Sequence, residues 1–108
     1  MYVLVYEYEV AEEQRSRFEE VYGAAGAWAG LFRRGRGYLG TDLYERVGGG
    51  RYLLLDRWAD EAAYRAFQEA FGEEYRDLAG RTRDHYRTET RLGVVPDGPG
   101  LGHGVPRP

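Results

Sequence analysis

A β-hairpin that leads directly into a helix constrains this chain more than any other feature. Residues 38–47 alternate loosely between apolar and polar side chains, as a strand does, and Gly48-Gly49-Gly50 follow. Successive glycines supply the positive φ angles that a tight reversal needs. The returning strand, residues 51–58, has three consecutive leucines at its centre. Such a run places apolar side chains on both faces, so we expect this strand to be covered on both sides.

The segment before the hairpin predicts one strand and an interrupted helix. Residues 2–10 alternate like a strand, and from about Ala11 the apolar residues take up helical spacing. Gly23 and Gly26 interrupt that spacing, and each weakens a helix interior by ~1 kcal/mol relative to Ala. We therefore expect a break there, followed by a short second helical piece at residues 27–34.

The segment after the hairpin predicts a long helix and a last strand. Asp60 is the expected N-cap of the helix, and its apolar spacing continues past a kink expected near Gly72. Residues 88–95 read as the last strand. Beyond them Gly and Pro dominate, which leaves almost nothing to bury. We therefore expect one domain at residues 1–95 and a flexible Gly/Pro-rich tail at residues 96–108.

The element order β-α-β-β-α-β predicts a ferredoxin-like α+β fold. Two helices can cover only one face of a four-stranded antiparallel sheet, so the other face would be bare in a single chain. That face would carry either the set Tyr2, Leu4, Tyr6 and Tyr8 or the set Val3 and Val5. Large apolar patches on small proteins mark association surfaces. The sequence therefore predicts a homodimer that forms through the sheet faces.

Missing residue types exclude several functions. The chain has no Cys, Lys or Asn, and all 15 basic residues are Arg. Thiolate nucleophiles, lysine Schiff bases and phosphate-loop lysines are therefore excluded, and we expect no bound cofactor. The arginines alternate with acids and the net charge is −3, which argues against binding to nucleic acid. No apolar run approaches the ~20 residues of a membrane span, and no signal peptide is evident, so we expect a cytoplasmic protein without a membrane partner.

Two titratable side chains could act as a catalytic base. Asp56 and Arg57 occupy opposite faces of one strand. If Asp56 faces the interior, burial would raise its pKa unless a partner such as Tyr6 compensates, and it could then deprotonate a phenol. His85 follows the long helix, where it is either a proton shuttle at a cavity mouth or, as we prefer, a His that favours the helix dipole. His85 and His103 make no recognisable metal site.

Aromatic side chains are the candidates for ligand contact. Trp58 ends a strand, so it is a core or interface anchor that could also stack on a planar ligand. Trp28 follows the helix break and could line a cavity entrance or cap the core. The chain has ten tyrosines, although half-buried strands select Tyr for packing alone. Those that could line a hydrogen-bonding pocket are Tyr6, Tyr8, Tyr38, Tyr52 and Tyr64.

Four segments carry a resemblance to a known family. They are the strand at residues 2–10, the step Gly37-Tyr38-Leu39-Gly40, the Asp-Arg-Trp-Ala-Asp-Glu-Ala-Ala-Tyr run at residues 56–64, and residues 88–93. Together they resemble the antibiotic biosynthesis monooxygenase family of the dimeric α+β-barrel superfamily, over roughly residues 1–95. The resemblance implies the ferredoxin-like fold, a dimeric α+β barrel and a homodimer.

The resemblance also implies an activity. The best-known activities of the family are cofactor-free oxygenation of phenolic polyketides to quinones and, in relatives, oxidative haem degradation. The quinone-forming type uses a Trp, a nearby Tyr and an Asn on the strand before the Trp. Trp58 and Tyr64 sit where such a pair could lie, but the chain has no Asn and Leu54 occupies the strand position just upstream. Phe67 and Asp77 stand about where haem-degrading members have a Trp and an axial His, which argues against haem degradation.

The sequence thus leaves two functions open. The first is a cofactor-independent monooxygenase that acts on a small aromatic or phenolic substrate in a hydrophobic pocket. Its expected catalytic residues are Trp58, Tyr64, Asp56 and His85, and its expected substrate-binding residues are Tyr6, Trp28, Tyr38 and Tyr52. The second is a non-catalytic dimeric module that binds a small molecule or merely assembles, which the missing Asn favours.

Overall fold

The strands and helices follow the predicted order, with the first helical segment divided in two. A computed structural model describes residues 1–96; the predicted tail, except for Pro96, lies outside the described residues. The elements are β1 (Tyr2–Glu9), α1 (Arg15–Tyr22), α2 (Ala27–Phe32), β2 (Tyr38–Glu45), β3 (Arg51–Trp58), α3 (Glu61–Thr82) and β4 (Thr88–Pro96). Short 3-10 turns, Glu12–Gln14 and Arg83–His85, precede α1 and follow α3.

The four strands form one antiparallel sheet in the order β2-β3-β1-β4. Along the central pair, Tyr2 lies opposite Trp58 and Tyr8 lies opposite Tyr52. The hairpin between β2 and β3 turns at Gly48-Gly49-Gly50, whose φ angles are +101°, +81° and +83°. These angles are the positive values that glycine adopts freely, and the predicted ferredoxin-like α+β fold is confirmed.

The tyrosine set of β1 faces the helices. Leu4 and Tyr8 are buried on that face, and β3 alternates in the same way, with Tyr52, Leu54, Asp56 and Trp58 all less than a tenth exposed. The triple leucine of β3 therefore divides between the two faces, because successive side chains of a strand point in opposite directions.

Within residues 1–96, no helix covers the opposite side of the sheet. We call it the outer face; register places Val5, Leu53, Leu55, Tyr44 and Val95 on it. Leu53 is 39% exposed, and Tyr44 and Val95 are more than half exposed. A contiguous apolar surface of this kind is the feature that predicted association.

The long helix begins and bends where the sequence predicts. The Asp60 side chain accepts a hydrogen bond from the Ala63 backbone N–H at 2.8 Å, as an N-cap does. The helix departs from helical geometry at Phe71, one residue before Gly72, with φ −122° and ψ 22°. No helix within residues 1–96 is long and apolar enough to cross a membrane.

The core between sheet and helices consists of two aromatic clusters. One surrounds Trp58 and includes Phe32 and Phe67, and the other surrounds Phe18 and includes Tyr22. The Phe18 and Tyr22 rings stack 4.4 Å apart, nearly parallel. A cavity lies where the two clusters meet, because its wall includes members of both.

Candidate active site

The cavity between the sheet and the helices is the candidate site. Its volume is about 80 Å³, which is room for several water molecules. Trp28, Phe32, Leu4 and Leu54 make much of the wall apolar. The lining tyrosines are Tyr6, Tyr8, Tyr22, Tyr64, Tyr75 and Tyr86. Aromatic walls with a few convergent polar groups are typical of small-molecule sites.

Asp56 supplies a buried carboxylate to this cavity. It is 8% exposed, and its Oδ1 accepts a hydrogen bond from the Thr41 hydroxyl at 2.7 Å. Burial raises its pKa to about 6, while the Thr41 hydrogen bond acts in the opposite direction because it stabilises the charged form. Asp56 therefore changes between its acid and base forms near neutral pH.

Tyrosine hydroxyls face Asp56 from β1 and α3. Burial raises the pKa of Tyr6, Tyr64 and Tyr75 above the ordinary value, and the negative charge of Asp56 adds to the effect on each. All three therefore stay protonated at neutral pH and can donate hydrogen bonds. The Tyr64 oxygen itself accepts a hydrogen bond from Gln68 Nε2 at 3.0 Å.

A second carboxylate, Glu89, lies at the other end of the cavity. The Tyr8 hydroxyl donates to Glu89 Oε2 at 2.5 Å. Asp56 lies opposite Leu4 of β1 and Glu89 lies opposite Tyr8, four residues further along. That spacing corresponds to roughly 13 Å along the strand. The two carboxylates therefore face the cavity from its opposite ends.

Trp58 supports the cavity without lining it. Its ring is 0% exposed and meets the Tyr64 ring edge-on, at 5.7 Å between centroids. The rings of Phe32, Phe67 and Tyr38 surround it. Its Nε1 has no hydrogen-bond partner among residues 1–96. Trp58 therefore reaches the cavity through Tyr64, because a neighbouring ring separates it from the open space.

The other predicted site residues divide between the cavity and its surroundings. Tyr6 and Trp28 line the cavity. His85 is buried in the 3-10 turn after α3, where burial and then the positive charge of Arg17 lower its pKa. The structure therefore places His85 near α1 and outside the cavity wall, although its neighbour Tyr86 lines the cavity.

Tyr52 and Tyr38 also direct their hydroxyl groups away from the cavity. The Tyr52 hydroxyl donates to the Glu19 carboxylate of α1. The Tyr38 hydroxyl is 2.5 Å from Thr41 Oγ1. Both rings pack in the core, so these residues bind structural partners instead of the cavity space.

Several residues that line the cavity were not among the predicted site residues. Glu89 lines the cavity and shares one face of β4 with Arg91, because both alternate with threonines. Their placement beside β1 depends on a register shift between Val5 and Tyr6, which alternation alone does not reveal. Tyr75 lies on the predicted helical stripe, and only tertiary packing distinguishes a lining position there from a core position.

The part of the chain that the structure describes offers no metal site. Within residues 1–96, no three His, Asp or Glu side chains come close enough together to bind a metal ion. The polar groups of the cavity include the separate carboxylates Asp56 and Glu89 and several tyrosine hydroxyls, which can accept and donate protons. The arrangement is therefore suited to acid–base chemistry on a bound molecule.

Comparison with known proteins decides the family. The family model described as antibiotic biosynthesis monooxygenase matches residues 1–87. The chain belongs to the antibiotic biosynthesis monooxygenase family. No curated protein sequence matches it significantly.

Among solved structures, the antibiotic biosynthesis monooxygenase fold recurs in two Streptomyces proteins. A mutant of SnoaB from Streptomyces nogalater, described as a cofactor-independent oxygenase, has 23% identity and a TM-score of 0.70, over 93% of this chain and 95% of SnoaB. The monooxygenase from the ActVA-Orf6 gene of Streptomyces coelicolor, solved with nanaomycin D, has 18% identity and a TM-score of 0.65, over 98% of this chain and 92% of that protein. At these identities the likeness shows a shared fold.

Proposed function

We propose that this chain is a monooxygenase that needs no bound cofactor and oxidises a small aromatic or phenolic substrate in the central cavity. The observation that carries the proposal is Asp56, a buried carboxylate on the wall of an aromatic cavity. Its pKa of about 6 suits a base that works near neutrality. The description of the structural neighbour SnoaB as a cofactor-independent oxygenase supports the same reaction class.

The proposed reaction uses Asp56 to make the substrate electron-rich. The phenolic O–H bond breaks and Asp56 takes the proton, which leaves a phenolate. The phenolate gives electrons to O2, and a bond forms between a ring carbon and one of the two oxygen atoms. Asp56 then returns its proton to the other oxygen atom. The same carbon then loses its hydrogen as the O–O bond breaks. One O2 thus yields one quinone oxygen and one water.

The other cavity residues orient the substrate. The protonated Tyr6 and Tyr64 hydroxyls donate hydrogen bonds to substrate oxygens, and Trp28 offers a ring face for stacking. Trp58 acts as a positioning residue, because it holds the Tyr64 ring without lining the cavity. We assign no substrate contact to His85, Tyr38 and Tyr52.

Oxygen uptake tests the proposal. Purified protein with an electron-rich naphthol should consume O2 without any added cofactor. Asp56→Asn keeps the shape of the side chain and removes the base, so turnover should fall about 100-fold or more with little change in KM. Asp77→Asn, on the exposed face of α3, is the matched control and should keep full activity. Uptake that Asp56→Asn leaves unchanged would contradict the role of the base.

A second function, binding without chemistry, is favoured by Leu54. This residue lines the cavity on the strand just upstream of Trp58, and the chain has no Asn anywhere to supply the amide that the resemblance implies. Quenching of tryptophan fluorescence by the same naphthol under anaerobic conditions separates the two functions. Binding without O2 consumption in air would identify a binding module, and binding with consumption an oxygenase.

We also propose that two chains pair through the outer face. The exposed apolar side chains of β2, β3 and β4 need a cover, and a second copy presents the same surface. Sedimentation at micromolar concentration should give twice the chain mass of 12.4 kDa. Leu55→Glu should yield monomers, because the introduced charge would be buried in the interface, whereas Ala66→Glu on exposed α3 should not. A wild-type monomer would refute this pairing.

A further inference from the structure

A β-bulge in β2 brings two hydroxyl groups to the side of Asp56 that faces away from the cavity. Tyr38 lies opposite Trp58, Gly40 lies opposite Arg57, and Thr41 lies opposite Asp56, so one residue is inserted between Tyr38 and Gly40. In a regular strand, residues three apart point to opposite faces. The inserted residue places Tyr38 and Thr41 on the same face, which is how bulges re-aim side chains near functional sites.

Contacts on the outer face stabilise this bulge. Gly40 has a φ of +144°, a value that side chains rarely allow, and a Cβ there would lie 2.8 Å from Arg57 Nη2. The Arg57 guanidinium thus covers Gly40, while its Nε donates to Asp42 Oδ2 at 2.9 Å. A larger residue at position 40 would therefore be strained by this φ angle and would also have to displace the Arg57 guanidinium.

The two hydroxyls form a chain of hydrogen bonds that ends on Asp56. Thr41 donates to Asp56 Oδ1 at 2.7 Å, so the Tyr38 hydroxyl, 2.5 Å from Thr41 Oγ1, is the donor to Thr41. Thr41 is 6% exposed. Asp56 lines the cavity, whereas Tyr38 and Thr41 line a separate groove at the surface together with Arg33. A substrate that fills the cavity would leave this chain of hydrogen bonds in place.

We propose that Thr41, supported by Tyr38, is a positioning residue that keeps Asp56 ionised and correctly oriented from outside the cavity. This inference rests on the proposed function of Asp56 as the base, and it names the residues that regulate that base. Because Tyr38 donates to Thr41, the single proton of Thr41 is directed at Asp56. Successive hydrogen bonds of this kind strengthen one another in a buried setting.

The electrostatic surroundings of Asp56 support this role. Burial raises its pKa, and the Thr41 hydrogen bond is the one influence that lowers it. Without Thr41, more of Asp56 would be protonated at neutral pH and unable to accept a phenolic proton. The remaining groups around the carboxyl are the hydroxyls of Tyr6 and Tyr8 from β1 and of Tyr64 and Tyr75 from α3, with Glu89 and Arg91 of β4 acting on the same tyrosines.

The test follows the Asp56 carboxyl carbon by 13C NMR during a pH titration of the substrate-free protein. The spectrum of Asp56→Asn assigns the signal. Thr41→Val should move the titration midpoint up by about one pH unit or more, since a hydrogen bond to a charged group contributes at least that much. Thr41→Ser, which keeps the hydroxyl, should restore the wild-type midpoint. Tyr38→Phe should move it less, in the same direction.

Thr88→Val on β4 is the matched control and should not move the midpoint. A Thr41→Val midpoint equal to wild type would overturn the inference. So would Thr41→Ser behaving like Thr41→Val, because a structural role would follow side-chain shape instead of the hydroxyl. If Thr41→Val does not fold, the Thr41→Ser and Tyr38→Phe titrations still decide.

Kinetics with the naphthol give a second readout. The acid limb of kcat/KM against pH should move upward by the same amount in Thr41→Val, with activity recovering at alkaline pH. An equal loss of activity at every pH would show a structural role and overturn the inference. The NMR titration does not depend on turnover, so it tests the role of Thr41 separately from the proposed oxygenase activity. A shifted midpoint in a protein that consumes no O2 would refute the oxygenase activity and still support the effect of Thr41 on Asp56.

Discussion

Replacing Asp56 with Asn should make the protein more stable at neutral pH, although it removes the proposed base. Burial raises the pKa of this carboxyl from 3.8 to about 6. A group that binds its proton more tightly in the folded chain than in the unfolded chain stabilises the fold only while it is protonated. The contribution of Asp56 is therefore complete below pH 3.8 and is lost as the pH rises through about 6.

The expected magnitude follows from the difference between the two pKa values. At ~1.4 kcal/mol per pH unit, the interval from 3.8 to about 6 corresponds to about 3 kcal/mol. Asn has the shape of Asp and can still accept the hydrogen bond from Thr41, so the comparison isolates the charge. The free energy of unfolding of Asp56→Asn, relative to wild type, should therefore rise by about 3 kcal/mol between about pH 4 and pH 7.

Urea denaturation followed by tryptophan fluorescence provides the measurement. Both proteins are compared at one concentration and at each pH, because the stability of the proposed dimer would depend on concentration. Asp77→Asn, an exposed position, should show no such trend. A difference that does not change with pH would show that Asp56 ionises freely in the folded protein. A difference that falls with pH would show that an unrecognised cation pairs with it.

Three further sets of substitutions test the glycine positions, the N-cap of α3 and the role of Trp58. Gly37→Ala should destabilise the fold by more than about 1 kcal/mol, because φ is +84° and the added Cβ would lie 2.7 Å from Ala63 Cβ. Gly30→Ala in α2 has open space around it and should stabilise the fold by ~0.5–1 kcal/mol. Equal shifts of the melting temperature in the two variants would contradict this reasoning. Asp60→Ala should lower the free energy of unfolding by about 1 kcal/mol through loss of the N-cap, and Asp60→Asn should not; urea titration of both decides. Trp58→Ala should lower the free energy of unfolding by about 3–5 kcal/mol, because the ring is fully buried. Trp58→Phe should reduce turnover less than Tyr64→Phe does. The reverse order would place Trp58 in contact with substrate.

The elements of this fold could be predicted from the sequence because their signals are local. The glycine triplet gives the hairpin its positive φ angles, and Asp60 caps α3 through its own neighbour, Ala63. The bounds of β3 follow from the apolar run between the glycines and Asp60. Each of these features depends on residues within a few positions of one another, so no knowledge of the distant chain is needed.

The face that the helices cover was not decided by local pattern. Alternation in β1 defines two sets of side chains, and both are apolar enough to be buried. The tyrosine set faces the helices, because α1, α2 and α3 together present aromatic partners such as Phe18 and Phe67 to it. Aromatic rings bury large areas and pair with one another, so the tyrosine side gains more from the helices than the valine side.

The candidate site was partly predictable. Asp56 and Tyr64 stood out by chemistry and by the family resemblance, and both line the cavity. Trp58 and His85 stood out equally, yet one is sealed behind Tyr64 and the other packs against α1. Residue type and spacing indicate which groups can do chemistry, but access to the cavity depends on which neighbour intervenes.

The sequence by itself therefore determined the order of elements, the alternation within each strand and the supply of chemically competent side chains. Only the tertiary structure decided which residues of neighbouring strands lie opposite one another. The inserted residue in β2 placed Tyr38 on the same face as Thr41, and the register shift in β4 brought Glu89 opposite Tyr8. The physical reason is that periodicity within a strand is set by its own backbone, whereas a bulge forms only where pairing with a distant strand is the more stable alternative.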